Sequence, residues 1–294
     1  MTTLVESSGA RRSWVAAYIA LTKPRIIELL LITTVPSMVL AAGRWPGTWL
    51  VVATLIGGTL SAGGANALNS FYDRDIDGVM RRTRSRPLAR DEVSPRNALV
   101  FGVALGVAGF LWLLATTNLL AASISTAALL FYVFVYTIAL KRTTTQNIVI
   151  GGAAGAAPTL VGWAAVSGTL SVPAWVLFLI VFYWTPPHFW ALALRYRDDY
   201  AAAGVPMLPV VVGVEATTRR MLLYTGLMVG VSLLLVPLGG MSWVYMVSAL
   251  VLGSWFLWAT WRVVADPGQA MRLFTTSTVY LSALFAAVML DVLI

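Results

Sequence analysis

Apolar residues run almost unbroken along this chain in nine stretches, 26–43, 49–71, 97–116, 119–139, 147–166, 172–193, 221–238, 242–261 and 273–293, separated by shorter polar connections. Each is close to the ~20 residues that a helix needs to cross the hydrocarbon core of a bilayer. The runs are continuous rather than alternating, which disfavours a barrel of ~10-residue strands. The pattern predicts an all-α polytopic membrane protein with nine transmembrane helices, a single integral-membrane domain over residues 1–294. Residues 1–22 read as a cytosolic tail, and 72–96 and 194–220 as polar loops.

Composition agrees with the pattern. The chain is 59% hydrophobic and 11% charged, less than half the charge of an ordinary soluble domain. Placing the charges orients the chain. All of its 20 basic residues except Arg44 fall in the tail (Arg11, Arg12, Lys23, Arg25) or in even-numbered connections. Basic residues concentrate in cytoplasmic loops. The N-terminus is therefore expected in the cytosol and the C-terminus outside, and the net charge of +8 reports topology rather than nucleic-acid binding. The chain has no cysteine and a single histidine, His188, which excludes disulfides, iron–sulfur clusters, thiolate sites and multi-histidine metal sites. The N-terminal segment lacks a secretory signal, and the missing Arg- and Ser-rich presequence favours a bacterial plasma membrane over an organellar one.

Against this apolar background, NSFYDRDIDGVMRRTRSRP at 69–87 gathers three aspartates and a run of arginines. If the preceding span continues as a helix, Asn69, Asp73 and Asp77 share one face, drifting by ~40° per step, while Asp75 points away. Three stacked oxygen-bearing side chains suit a hard cation. Mg²⁺ typically bridges one or two carboxylates to a substrate phosphate, and Arg81, Arg82 and Arg86 are placed to clamp the remaining oxygens. A second cluster, Asp198 and Asp199, ends the sixth span at the same membrane face. The two are adjacent in sequence and diverge by ~100°, so at most one readily joins a given metal.

Here the sequence resembles a known family. NSFYDRDIDGVMRRTRSRPL is similar to the aspartate-rich signature of the UbiA-type intramembrane prenyltransferases. TKPR at 22–25, LKRTTTQNIVIGGAAGAAP at 140–158, TPPHFWALALRYRDDY at 185–200 and AGVPMLPVV at 203–211 resemble its haem-farnesylating branch. Thr159 departs from the pattern, where a second proline is expected after Pro158, and bears on local loop shape. The resemblance implies helices around a central cavity, capped at the cytosolic face by the polar loops. It implies Mg²⁺-dependent ionisation of farnesyl diphosphate and transfer of the farnesyl group to a vinyl group of haem b, a substrate rather than a prosthetic group. Water then captures the cation to give haem O.

Carried over residue by residue, the resemblance assigns Asn69, Asp73 and Asp77 to one metal and Asp198 or Asp199 to a second, with Asp199 the choice for the metal itself. Arg25, Lys141 and Arg142 join Arg81, Arg82 and Arg86 as candidate diphosphate contacts. Phe71, Tyr72 and Phe189 are candidates for stabilising the allylic cation through their ring faces. His188, with Trp184 and Trp190 nearby, is the candidate haem contact, since neutral imidazole is a common axial ligand of haem iron. Pro186 and Pro187 are expected to disrupt their span. Haem A synthase or oxidase assembly proteins are the candidate recipients of the product.

Two rivals are weaker. A quinone-precursor prenyltransferase is disfavoured by TPPHFWALAL and by the absence of a longer, evenly spaced second aspartate motif. A transporter places ionisable residues near the bilayer midplane, whereas these cluster at one face, with only Glu28 and Asp291 inside the expected spans.

Overall fold

The structure, a computed structural model, describes residues 12–294, without the side chains at 26 and 28–31. Arg11 and the side chain of Glu28 therefore lie outside the described residues. Helices α1 (Trp14–Thr22) and α2 (Pro24–Ala42) meet at Lys23, and α3 (Thr48–Tyr72) runs on into the short α4 (Arg74–Val79). After a loop come α5 (Pro95–Thr116), α6 (Leu119–Leu130) continued by a π-helical segment (Phe131–Leu140), α7 (Asn147–Ser167) and α8 (Val172–Arg195). Short helices α9 (Arg197–Ala202) and α10 (Leu208–Val211) precede α11 (Gly213–Gly239), α12 (Trp243–Ala265) and α13 (Ala270–Leu293). No strand occurs among the described residues.

Eight helical segments among the described residues are long and apolar enough to cross a membrane: α3, α5, α6 with its π segment, α7, α8, α11, α12 and α13 with the turn before it. In α2 the apolar part is shorter, Ile32–Ala42. Polar punctuation sets the ends. Ser94 caps α5 ahead of Pro95, and Asn118 caps α6 while its amide donates to the Ala164 carbonyl of α7 at 2.7 Å. At the far end of the bundle the Asp291 carboxylate accepts from the backbone N–H groups of Ser242 and Tyr245, at 2.8 and 2.9 Å, closing the start of α12.

The helices form a closed bundle. α3 packs on α5, α8 lies against α7, α11 and α13, and α2 is held between α7 and α13. Helix α5 shows how the apolar residues divide between protein and lipid. Ala98, Gly102, Gly109 and Leu113 are buried, while Val100, Val103, Val107, Leu111 and Leu114 are exposed. The exposed set recurs every three or four residues, one outward stripe with hydrocarbon as its natural solvent. The buried set is small because two backbones touch there. A Cβ on Gly64 would stand 2.7 Å from the Gly102 carbonyl oxygen, inside any permitted contact. Small residues allow such approaches between membrane helices. Gly64→Ala is therefore expected to cost about 1–3 kcal/mol, the usual range for overpacking. The measurement is the thermal unfolding midpoint in detergent, compared with Gly58→Ala, whose added methyl meets open space.

Four features differ from the sequence expectations. Residues 14–22 of the expected tail form a helix, whose exposed Trp14, Val15 and Ile19 suit a membrane interface better than water. Helix α11 starts eight residues before the expected 221, because hydropathy discounts the polar turn holding Glu215, Arg219 and Arg220. Helix α8 continues through Pro186 and Pro187 without a break, and both are buried; neighbouring helices hold such proline turns in place. Thr159 lies inside α7 rather than shaping a loop, and its carbonyl accepts from the Ser37 hydroxyl of α2 at 2.6 Å.

Candidate active site

The four-residue register at the end of α3 survives the junction with α4. Asp73 N–H donates to the Asn69 carbonyl and Asp77 N–H to the Asp73 carbonyl, each at 2.9 Å, so the helical ladder runs past the bend. Asn69, Asp73 and Asp77 are all buried. Asp75 faces out, with its side chain 59% exposed. Helices α8 and α9 repeat the device, a long helix bending into one of six residues. There Asp199 is buried and Asp198 exposed.

Each buried carboxylate carries a basic partner. Lys141 Nζ donates to Asp73 Oδ2. Arg86 Nη1 reaches both oxygens of Asp77 at 2.8 Å. Arg81 Nε donates to Asp199 at 2.8 Å, and the Arg82 backbone N–H donates to its other oxygen at 3.3 Å. The 80–94 loop thereby ties the two aspartate clusters together at one face. Arg142 forks onto Asp75 with two 2.7 Å bonds. That bond holds the Asp75 carboxyl down at about 2, and Arg81 likewise lowers Asp199.

Lys23 is the contact that sequence reasoning passed over as a tail charge. Its left-handed backbone, φ 54, is rare for a residue with a side chain and costs of order 1 kcal/mol or more. The sharp turn from α1 into α2 delivers its ammonium to Asn69 Oδ1 at 2.6 Å. Asn69 in turn donates to Asp73 Oδ2 at 2.8 Å and to the Thr137 hydroxyl at 3.1 Å. Burial pulls the Lys23 ammonium well below the usual lysine range, with Arg86 adding to it, and burial lowers Lys141 as well. Two desolvated ammonium groups beside buried carboxylates favour any ligand that brings further negative charge.

The π segment places two of these groups. Thr137 Oγ1 donates to the Tyr132 carbonyl and Lys141 N–H to the Tyr136 carbonyl, both at 2.8 Å and both spanning five residues. The wider turn aims Thr137 and Lys141 at α3. Such segments recur at functional sites.

A second cluster joins α8 to α13. Trp184 and His188, one turn apart, both reach Ser277: the indole donates to its carbonyl at 2.8 Å, and His188 Nδ1 meets its hydroxyl at 2.7 Å. The imidazole is stacked between Trp184 and Phe274, with centroids at 4.2 and 4.3 Å, and Phe189 meets its edge. Trp190 lies apart from this group, perpendicular to Tyr224 of α11. Arg74 and Arg142 cover one ring face each of Phe71 and Tyr72, at 4.8 and 5.0 Å, and Arg25 is exposed. Ser277, Phe274 and Thr137 carry no sequence signal, being single residues in apolar helices.

The donor set fits a hard divalent cation. The Asp73 side chain is fully buried and its Oδ1 has no hydrogen-bond partner, with Arg142 Nη2 standing off at 3.6 Å. Among the described residues no three His, Cys, Asp or Glu side chains converge on one point. Mg²⁺ does not need three, since it takes one or two carboxylates and completes its shell with water and substrate phosphate.

A bundle of apolar helices with a buried, basic-ringed aspartate face at one end defines a membrane enzyme acting on anionic substrates. Residues 30–289 match the UbiA prenyltransferase family, and the chain belongs to that family, as a multi-pass integral membrane protein. The protoheme IX farnesyltransferase of Clavibacter sepedonicus is 54% identical over 98% of this chain and 96% of its own length. The fold recurs in a solved structure concerning digeranylgeranylglyceryl phosphate synthase, with a TM-score of 0.77 at 18% identity, covering 95% of this chain and 98% of that one. It recurs also in a UbiA homologue from Archaeoglobus fulgidus bound to DMAPP and Mg²⁺, with a TM-score of 0.62 at 15% identity over 92% and 98% of the two chains.

Proposed function

We propose that this chain transfers the farnesyl group of farnesyl diphosphate to a vinyl group of haem b, with addition of water, to give haem O. The observation that carries the chemistry is the buried Asn69–Asp73–Asp77 face ringed by Lys23, Lys141 and Arg86. The acceptor is supported by the near full-length likeness to a protoheme IX farnesyltransferase. In the reaction the carbon–oxygen bond of the allylic diphosphate breaks and diphosphate leaves with the electron pair. A carbon–carbon bond forms to the vinyl terminus, and water adds to the carbon beside the porphyrin with loss of a proton.

Asn69, Asp73 and Asp77 would hold Mg²⁺, and Asp199 a second ion, supplying Lewis-acid stabilisation of charge on the leaving diphosphate. Lys141 and Arg86 are placed to turn from the carboxylates, and Lys23 from the Asn69 amide oxygen, onto phosphate oxygens. Their desolvation makes each such bond stronger than it would be in water. Arg81, Arg82 and Arg142 extend the basic ring outward. Phe189 and Tyr72 remain the candidates for the allylic cation, whereas Phe71 packs against Ala17, Leu21, Leu88 and Val93, off the aspartate face. His188 and Trp184 are assigned to the haem. By the basic-residue pattern the site faces the cytosol of a bacterial plasma membrane, with the N-terminus inside, nine crossings and the whole chain as one domain.

The test is to incubate purified protein with haem b, farnesyl diphosphate and Mg²⁺ and to weigh the haem. A mass gain of farnesyl plus hydroxyl is expected. Unmodified haem, with prenylation of a quinone precursor in a parallel incubation, would move the chain to a different acceptor class.

A further inference from the structure

Ser277 lies on α13, away from the aspartate face, and has no part in the chemistry described so far. It is fully buried and holds two residues of α8 at once, Trp184 through its carbonyl and His188 through its hydroxyl. The one proton of that hydroxyl fixes what it does to the imidazole. The Ser277 hydroxyl stands 2.7 Å from the Phe274 carbonyl oxygen. Two oxygens approach that closely only with a hydrogen between them, and a carbonyl has none to give. The single Ser277 hydroxyl hydrogen therefore points to Phe274. The contact from Ser277 Oγ to His188 Nδ1, also 2.7 Å, then takes its hydrogen from the imidazole. Nδ1 carries the proton, and Nε2 carries the lone pair.

The surroundings leave that lone pair as the imidazole's one free bonding position. Trp184 and Phe274 cover the two ring faces at 4.2 and 4.3 Å. Nδ1 is engaged by Ser277, the Phe274 carbonyl beside that hydroxyl is the ring's other hydrogen-bond partner, and among the described residues no side chain but Ser277 bonds the imidazole. A neutral imidazole held in one tautomer, oriented by a hydrogen bond on the far nitrogen, is how proteins prepare histidine to ligate a metal. We propose that Ser277 is a positioning residue for substrate haem: it accepts the Nδ1 proton of His188 and so presents Nε2 to the haem iron. This rests on the assignment of His188 to haem made above, and adds the residue, the atom and the tautomer.

The experiment titrates the full-length detergent-solubilised protein with haem b and follows the Soret band. It also records the iron–histidine stretch of the ferrous complex by resonance Raman. Ser277→Ala is expected to weaken haem b binding about 10–100-fold, the usual effect of losing a partner of a metal-bound histidine, and to lower the iron–histidine frequency. Ser277→Thr, which keeps the hydroxyl, is expected to restore both. Farnesyl diphosphate binding, unchanged in these variants, reports that they are folded. Should Ser277→Ala fail to fold, Ser277→Cys, close in size and a poor acceptor, carries the same expectations. A His188→Ala protein with an unaltered haem spectrum would remove the His188 assignment itself. A His188→Ala protein that loses the iron–histidine band, beside a Ser277→Ala protein that keeps both its frequency and its affinity, would overturn the role of Ser277 alone.

Discussion

Asp73→Ala is expected to lower farnesyl transfer at least ~1,000-fold, about 4 kcal/mol of transition-state stabilisation. No other aspartate of the cluster is so completely enclosed: its side chain has no exposed surface, one oxygen is bound by Asn69 and Lys141, and the other has no hydrogen-bond partner. The substitution removes a ligand and also leaves Lys141 without its counter-charge. Stranding a buried ion by removing its partner commonly costs about 3–5 kcal/mol. Lys141 has an escape, because burial already lowers its pKa and it sheds a proton more readily than an ordinary lysine. Asp73→Asn softens the structural consequence, since its amide oxygen still accepts from Lys141. It keeps the shape and hydrogen-bonding capacity while removing the charge, so the thermal midpoint stays closer to that of the unaltered protein while turnover falls as far. Turnover near normal in either variant would show that Asp73 holds no ion in the reaction.

Chelation is the second large effect. EDTA is expected to bring farnesyl transfer to background, with recovery on adding excess Mg²⁺. Ca²⁺ should restore less, because it prefers six to eight oxygen ligands at longer distances. The fold should not suffer. Asp73, Asp77 and Asp199 already have Lys141, Arg86 and Arg81 as counter-charges, so the metal-free site is balanced. Helical circular dichroism and the thermal midpoint are accordingly expected to stay nearly constant through the chelation that abolishes turnover. Transfer indifferent to EDTA would separate this chain from metal-assisted diphosphate ionisation.

Most of the fold could be read from the sequence because the long helices are apolar whether they show an outward face, as α5 does, or are largely enclosed, as α7 and α8 are, and hydropathy registers both. The errors fell where another force decides. Polar residues at the start of α11 are helical but water-facing, so hydropathy starts the helix too late. Pro186 and Pro187 mark a break in an isolated chain, yet packing keeps α8 whole. At the site, the spacing of Asn69, Asp73 and Asp77 gave their shared burial and the outward turn of Asp75, since helical geometry fixes both. It did not give their partners. Lys23 comes 46 residues before Asn69 and Lys141 comes 68 after Asp73, and no local rule pairs residues so far apart. The arginines expected on phosphate and the carboxylates expected on metal neutralise one another in the structure.

The π-helical segment has a consequence for the length of the chain. Between Phe131 and Leu140 the backbone climbs with more residues per turn than an α-helix holds. Every residue beyond it is therefore rotated relative to an uninterrupted helix, and Lys141 reaches Asp73 from that rotated position. Removing one residue from the segment would leave each apolar side chain chemically unchanged. It would also swing Lys141 by about 100°, away from the carboxylate. This stretch, featureless in hydropathy, thus tolerates exchange of one greasy residue for another far better than it tolerates the loss of one.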